Sequence, residues 1–119
     1  MKINIILLVV FSLFFVSCSK KDVVTETVIN EKKLDLQVLE AYKEGMSALE
    51  GGDVLFAAKK FNEAEILFPQ SEWAPKSALM AAYSYYTQDY YYDAIYELER
   101  FIRLYSFHKD ISYAYYLMA

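Results

Sequence analysis

One arrangement of side chains is written twice in this chain, at an interval of 37 residues. Ala41, Gly45, Ala57, Phe61, Leu67 and Phe68 in the first copy stand against Ala78, Ala82, Ala94, Leu98, Leu104 and Tyr105 in the second. Polar breaks keep the same register, Gly51–Asp53 against Gln88–Tyr90. Each copy holds two stretches whose apolar residues recur at helical spacing, so each is a helix–turn–helix unit with one face to bury. Such a unit cannot cover that face alone and must stack on its neighbours. The alternative is a four-helix bundle with accidental similarity. Agreement of small residues and turns over the whole unit favours the repeat.

The helical period begins near Leu34, with Val38, Ala41, Tyr42, Gly45, Ala48 and Leu49 on one face. Gly51-Gly52-Asp53 ends this helix, glycine supplying a left-handed cap and Asp53 an N-cap for the next. The second helix turns Val54, Ala57, Ala58, Phe61, Ala64 and Phe68 inward, keeps Lys59 and Glu63 in solvent, and closes at Pro69. Pro75 fits the first turn of a third helix carrying Ala78, Ala81, Ala82 and Tyr85. After Thr87-Gln88-Asp89 a fourth places Ala94, Ile95, Leu98, Phe101, Ile102 and Tyr105 inward, with Asp93, Glu97 and Arg100 towards water. The expected units are therefore 34–69 and 74–106, and 111–119 begins a third. Gly45, Ala57, Phe61, Ala64 and Pro69 stand at the signature spacing of the tetratricopeptide repeat. The resemblance implies an all-α solenoid of helical hairpins. The second unit departs from that signature at Phe101 and Ser106. The apolar third unit leads us to expect that the chain is part of a longer protein.

The first residues belong to no unit. Lys2 precedes an almost unbroken apolar run, Ile3–Val16. As a helix this run would span about 21 Å, short of the ~30 Å hydrocarbon core, so residues 1–17 are expected to be a signal peptide. Phe15-Val16-Ser17-Cys18 resembles the lipobox of bacterial lipoproteins, with Phe15 where leucine is usual. That resemblance implies cleavage before Cys18 and acylation of it with diacylglycerol and a fatty acyl chain. Ser19 follows where an aspartate would signal inner-membrane retention, so the outer membrane is the implied address. An ordinary secreted protein with a spare thiol is the alternative. Residues 18–33 are charged and aperiodic and are expected to form a flexible tether.

Charge and chemistry exclude more than they assign. The net charge is −4, and loss of Lys2 with the signal peptide makes it −5. Nucleic acid is therefore not an expected partner. Cys18 is the only cysteine and His108 the only histidine. No phosphate loop, Ser/His/Asp constellation or metal-ligand spacing is present, so neither an enzyme nor a bound metal or cofactor is expected.

Beyond the repeat, the phrase Phe101–Leu117 (FIRLYSFHKDISYAYYL) with its Tyr113-Ala114-Tyr115-Tyr116 resembles the BamD family, as do the lipobox and Phe68-Pro69-Gln70-Ser71. These are lipoproteins of the machinery that folds β-barrels into the bacterial outer membrane. Ser106 and Lys109 replace prolines usual there, and Ser112 an acidic residue. The resemblance covers nearly all of residues 18–119 but only the amino-terminal half of the family's repeat array. It implies a lipid-anchored protein on the periplasmic face of the outer membrane. It also implies binding of unfolded β-barrel proteins, through their carboxy-terminal targeting strand, and partnership with other Bam subunits, chiefly through later repeats. Repeat arrays of this kind bind extended peptides on the first helix of each unit. The register gives Tyr42, Met46 and Leu49, then Leu79, Tyr83 and Tyr86, then Tyr113 and Tyr116, as groove candidates. Tyrosine offers flat apolar area and a hydroxyl at little entropic cost. Eleven of the twelve tyrosines lie between Tyr83 and Tyr116, more than one repeat pair can bury with hydroxyls satisfied. About half of the named positions are therefore expected in the groove and half in the core. The competing functions are a generic tetratricopeptide-repeat envelope lipoprotein acting as scaffold or tether, and an accessory domain of a larger enzyme.

Overall fold

The computed structural model describes residues 23–119, with side chains described from Asn30 onward. The signal peptide expected over 1–17 and the acylation site Cys18 lie outside the described residues. Five helices follow in order: α1 (Val23–Glu50), α2 (Val54–Leu67), α3 (Trp73–Tyr86), α4 (Tyr91–Leu104) and α5 (Ile111–Met118). Each packs against the next, and α3 also touches α1 and α5. This is the stacked-hairpin, all-α architecture of a tetratricopeptide-like solenoid, as the register predicts. Among the described residues no helix is long and apolar enough to cross a membrane.

The 37-residue interval governs backbone hydrogen bonds as well as side chains. After α1, Asp53 N donates to Ala48 O at 2.9 Å; after α3, Tyr90 N donates to Tyr85 O at 3.1 Å. Between hairpins, Ser71 N donates to Phe68 O at 3.0 Å and His108 N to Tyr105 O at 2.9 Å. The turns even share their left-handed residue, Gly52 at φ 83° and Asp89 at φ 62°. Asp53 caps α2 as expected, its carboxylate accepting from Phe56 N at 3.1 Å. Tyr90, its counterpart, caps α4 without a side-chain bond.

Small residues let the helices close on large ones. Phe61 sits fully buried with Ala57 and Ala81, so α2 packs on both α1 and α3. Val38, Ala41 and Ala64 form a neighbouring cluster beneath Tyr42, Phe68 and Trp73. Ala78, Leu79, Ala82, Leu98, Phe101 and Ala114 repeat the arrangement between α3, α4 and α5.

Three expectations need correction. The tether expected over 18–33 is helical from Val23 onward. Glu31, Lys32 and Lys33 are exposed, so this charged run shows no apolar face. Glu31, Lys32 and Lys33 are straight-chain residues that extend a helix cheaply once the packed part beyond Val38 has nucleated it, whereas the β-branched run Val23–Ile29 has lower helix propensity. Ile95, expected inward, is 39% exposed. Glu97 and Arg100, expected in water, lie against α2, with Glu97 buried and Arg100 half-buried.

Their burial is explained by a polar cluster between the second helices of the two units. Arg100 grips Glu65 with both terminal nitrogens, Nη1–Oε1 at 2.8 Å and Nη2–Oε2 at 2.6 Å. Its Nε donates to Glu97 Oε2 at 2.9 Å, and Nη2 also reaches Asn62 Oδ1 at 3.2 Å. Asn62 Nδ2 donates to Glu97 Oε1 at 3.1 Å, and Tyr105 Oη to Glu65 Oε1 at 2.8 Å. Burial works against the Arg100 charge, but its bonds to Glu65 and Glu97 outweigh that, and its pKa ends above the ordinary value. Burial, then the bond to Glu65, push the Tyr105 phenol up as well. Helical periodicity assigned these charges to solvent because it cannot see a polar seam between neighbouring units.

Candidate functional site

The first helices of the three units, α1, α3 and α5, line one side of the array. Between them lies a cleft of about 290 Å³. Tyr42 forms its α1 wall; Lys76, Leu79, Met80 and Tyr83 form its α3 floor; Asp110 and Tyr113 close it from the third unit. The same register positions recur, since Tyr42 and Leu79 are 37 apart, as are Lys76 and Tyr113.

Each wall is held from behind. Tyr42 packs edge-on to Phe61 at 5.3 Å between ring centres and against Trp73 at 5.1 Å. Lys76 Nζ lies 4.6 Å from the centre of the Trp73 ring, a cation–π contact that fixes the ammonium beside the cleft. Tyr113 stacks on Tyr116, with ring centres 6.3 Å apart. Burial raises the pKa of Tyr42. Burial first, then the neighbouring phenols Tyr83, Tyr116 and Tyr86, raise that of Tyr113. Both therefore stay protonated at neutral pH and keep a hydroxyl able to donate to a peptide carbonyl.

Of the eight groove candidates, the structure brings Tyr42, Leu79, Tyr83 and Tyr113 together in this cleft. Met46 and Leu49 instead pack, half-buried, against the cluster around Ala57 and Phe61. Tyr86 lines a separate pocket of about 300 Å³ with Tyr91, Ala94, Ile95, Leu117 and Met118. Tyr116 is 75% exposed and reaches the cleft only through its stack on Tyr113. The sequence reading missed Lys76, Met80 and Asp110. Lys76 was legible, because it occupies the register position of Tyr113; Met80 and Asp110 carry no comparable signal.

The cleft is apolar, concave and bears one charge of each sign, a surface suited to holding side chains of an extended polypeptide. It contains no paired carboxylates or nucleophile–base pair, and among the described residues no three His, Cys, Asp or Glu side chains gather as a metal site. His108 does not line it and packs edge-on to Phe101 with ring centres 5.8 Å apart.

Comparison with known proteins agrees with this architecture. Residues 34–119 match the family model described as "YfiO: Outer membrane lipoprotein". The outer membrane protein assembly factor BamD of Caulobacter vibrioides is 34% identical over 102 residues, covering 86% of this chain and 32% of the relative. BamD of Rickettsia prowazekii is 37% identical over 78 residues, covering 66% of this chain and 31% of the relative. BamD of Neisseria gonorrhoeae is 36% identical over 83 residues, covering 70% and 31%. The chain thus spans about a third of the length of the curated relatives it matches. With a match across its whole repeat region and relatives of one name, the chain belongs to the YfiO/BamD family of outer membrane lipoproteins.

Proposed function

We propose that this chain is the amino-terminal repeat region of an outer-membrane protein assembly factor, and that its cleft holds segments of unfolded β-barrel proteins. The observation that carries this reading is the convergence of Tyr42, Leu79, Met80, Tyr83 and Tyr113 from all three units on one concave surface. Strands of membrane barrels alternate apolar and polar residues. Every second side chain of such a strand, spaced by ~7 Å, would enter the cleft, and tyrosine hydroxyls would meet the intervening backbone. The protein would be held at the periplasmic face of the outer membrane by lipid on Cys18, with other Bam subunits as partners. Two or more acyl chains make such attachment stable without a basic surface. This agrees with the negative net charge.

A scaffold role is the second reading, favoured by aromatic side chains away from the cleft. Tyr92 and Phe107 are 92% and 101% exposed. One experiment separates the two. A photo-crosslinking residue is placed at Tyr83, and separately at Tyr92, in the protein as the cell makes it. The binding reading expects unfolded barrel proteins captured from position 83 and competed away by a peptide of their last strand. Capture of only lipoproteins or periplasmic domains at position 83 would remove that reading in favour of the scaffold.

A further inference from the structure

The polar cluster between α2 and α4 lies on the opposite edge of the array from the cleft. On the cleft side, α1 and α3 touch directly, whereas the backbones of α2 and α4 stay apart. The gap between them is bridged by side chains. Glu65 and Asn62 reach from α2, Glu97 and Arg100 from α4, and Tyr105 from the end of α4. Arg100 is the hub: it contacts Glu65 through both terminal nitrogens and Glu97 through Nε. The flanking carboxylates are 95% and 93% buried by residue, as their 5% and 7% exposures state.

We infer that Arg100 is a positioning residue, whose clamp on Glu65 and Glu97 fixes the angle between the first two units and so the width of the cleft on the far side. The inference rests on the reading of that cleft as the binding site. Its mechanical basis is the layout of a two-layer array. The first unit supplies Tyr42, while the second and third supply the remaining lining residues. With α3 as pivot, a tie across the outer edge resists splaying there. Loosening it lets two nearby carboxylates push α2 from α4 and tips α1 towards α5. A guanidinium suits this task because its rigid fork sets distance and direction together, whereas an ammonium on a flexible stem sets neither. The buried carboxylates leave such a fork few alternative partners.

The test measures cleft width without depending on any ligand. Spin labels are placed at Lys43 on α1 and Ser112 on α5, both exposed, in the full chain carrying Cys18→Ser. Their separation is read by electron–electron resonance in the parent, in Arg100→Lys and in Glu65→Gln. Arg100→Lys keeps the charge but loses the fork. Glu65→Gln loosens the same two-point grip from the α2 side, and serves if Arg100→Lys fails to fold. The mean distance is expected to shorten by about 1–2 Å, the usual scale of helix shifts at repacked interfaces, and Arg103→Lys should leave it unchanged. Affinity for a peptide of alternating phenylalanine and serine should fall in parallel. A distance unchanged or lengthened in Arg100→Lys or Glu65→Gln, at parental helicity, overturns the inference. A shortened distance with unchanged peptide affinity would keep the clamp and remove the cleft as the binding site.

Discussion

Gly45 and Phe61 make one contact on which the first unit depends. A Cβ on Gly45 would stand 2.8 Å from Phe61 Cε1, closer than two carbon atoms can pack. Phe61 is fully buried, so its ring has nowhere to retreat. In the second unit the equivalent pair is Ala82 and Leu98, a larger residue on one helix matched by a smaller one on the other. Gly45→Ala gains up to ~1 kcal/mol in helix propensity but incurs an overpacking cost of ~1–3 kcal/mol. The clash is with a fixed ring, so the net outcome should be a loss of about 1–2 kcal/mol. Urea unfolding should show a lower midpoint with an unchanged slope. Adding Phe61→Leu copies the second unit's pair and should make the combined loss smaller than the sum of the two single losses. Strict additivity would mean that the ring and the glycine are not complementary.

The turns illustrate a different use of glycine at the scale of the element. Gly52 has open space where a Cβ would go, but a φ of 83°. Its substitution therefore costs backbone strain alone. Gly52→Ala should lose about 1 kcal/mol, and Gly52→Asn clearly less, because asparagine visits the left-handed region more readily. Equal losses in urea unfolding would show that the φ is not what the turn requires. At this scale the sequence was informative: helix ends, turns and connectors recur at 37 residues because each unit must offer its neighbour the same surface. It was less informative where no repeated apolar face exists. The start of α1 at Val23 was missed because the run Val23–Ile29 is mostly β-branched and Glu31, Lys32 and Lys33 are exposed charges, so neither signals a helix by pattern. The Glu65–Arg100 seam was missed because charge was equated with solvent. Asn62 and Glu65, three apart on α2, and Glu97 and Arg100, three apart on α4, were the available sign. Half of the groove candidates met in the cleft because register places a residue on the correct helix but not at the correct depth. Met46 and Leu49 fell to the core for that reason.

Across the whole molecule, the tyrosines impose an alkaline limit on stability. Tyr42, Tyr85 and Tyr113 have raised pKa values with burial as the leading cause. Tyr105 is raised by burial and its bond to Glu65, and exposed Tyr91 by its bond to Asp89. Each folded phenol therefore holds its proton at a pH where the unfolded chain, with phenols near 10, has begun to release it. Above pH ~10 the unfolded state binds fewer protons than the native state, so unfolding free energy falls as pH rises. The contribution is fully present below that pH and disappears as each folded phenol finally ionises. Lys60, raised by its bonds to Glu44 and Glu63, acts in the same direction. Stability from urea unfolding should accordingly be level through neutral pH as far as these groups are concerned, then decline from about pH 10 upward. Phenolate absorbance should rise later in the native protein than in the urea-unfolded chain. Tyr105→Phe removes one strongly shifted phenol, so its decline should be shallower than that of the parent even though its stability at neutral pH is lower. Parallel declines in the two proteins would show that neither burial nor the bond to Glu65 holds the Tyr105 proton. The bond to Glu65 would then be a contact without electrostatic consequence.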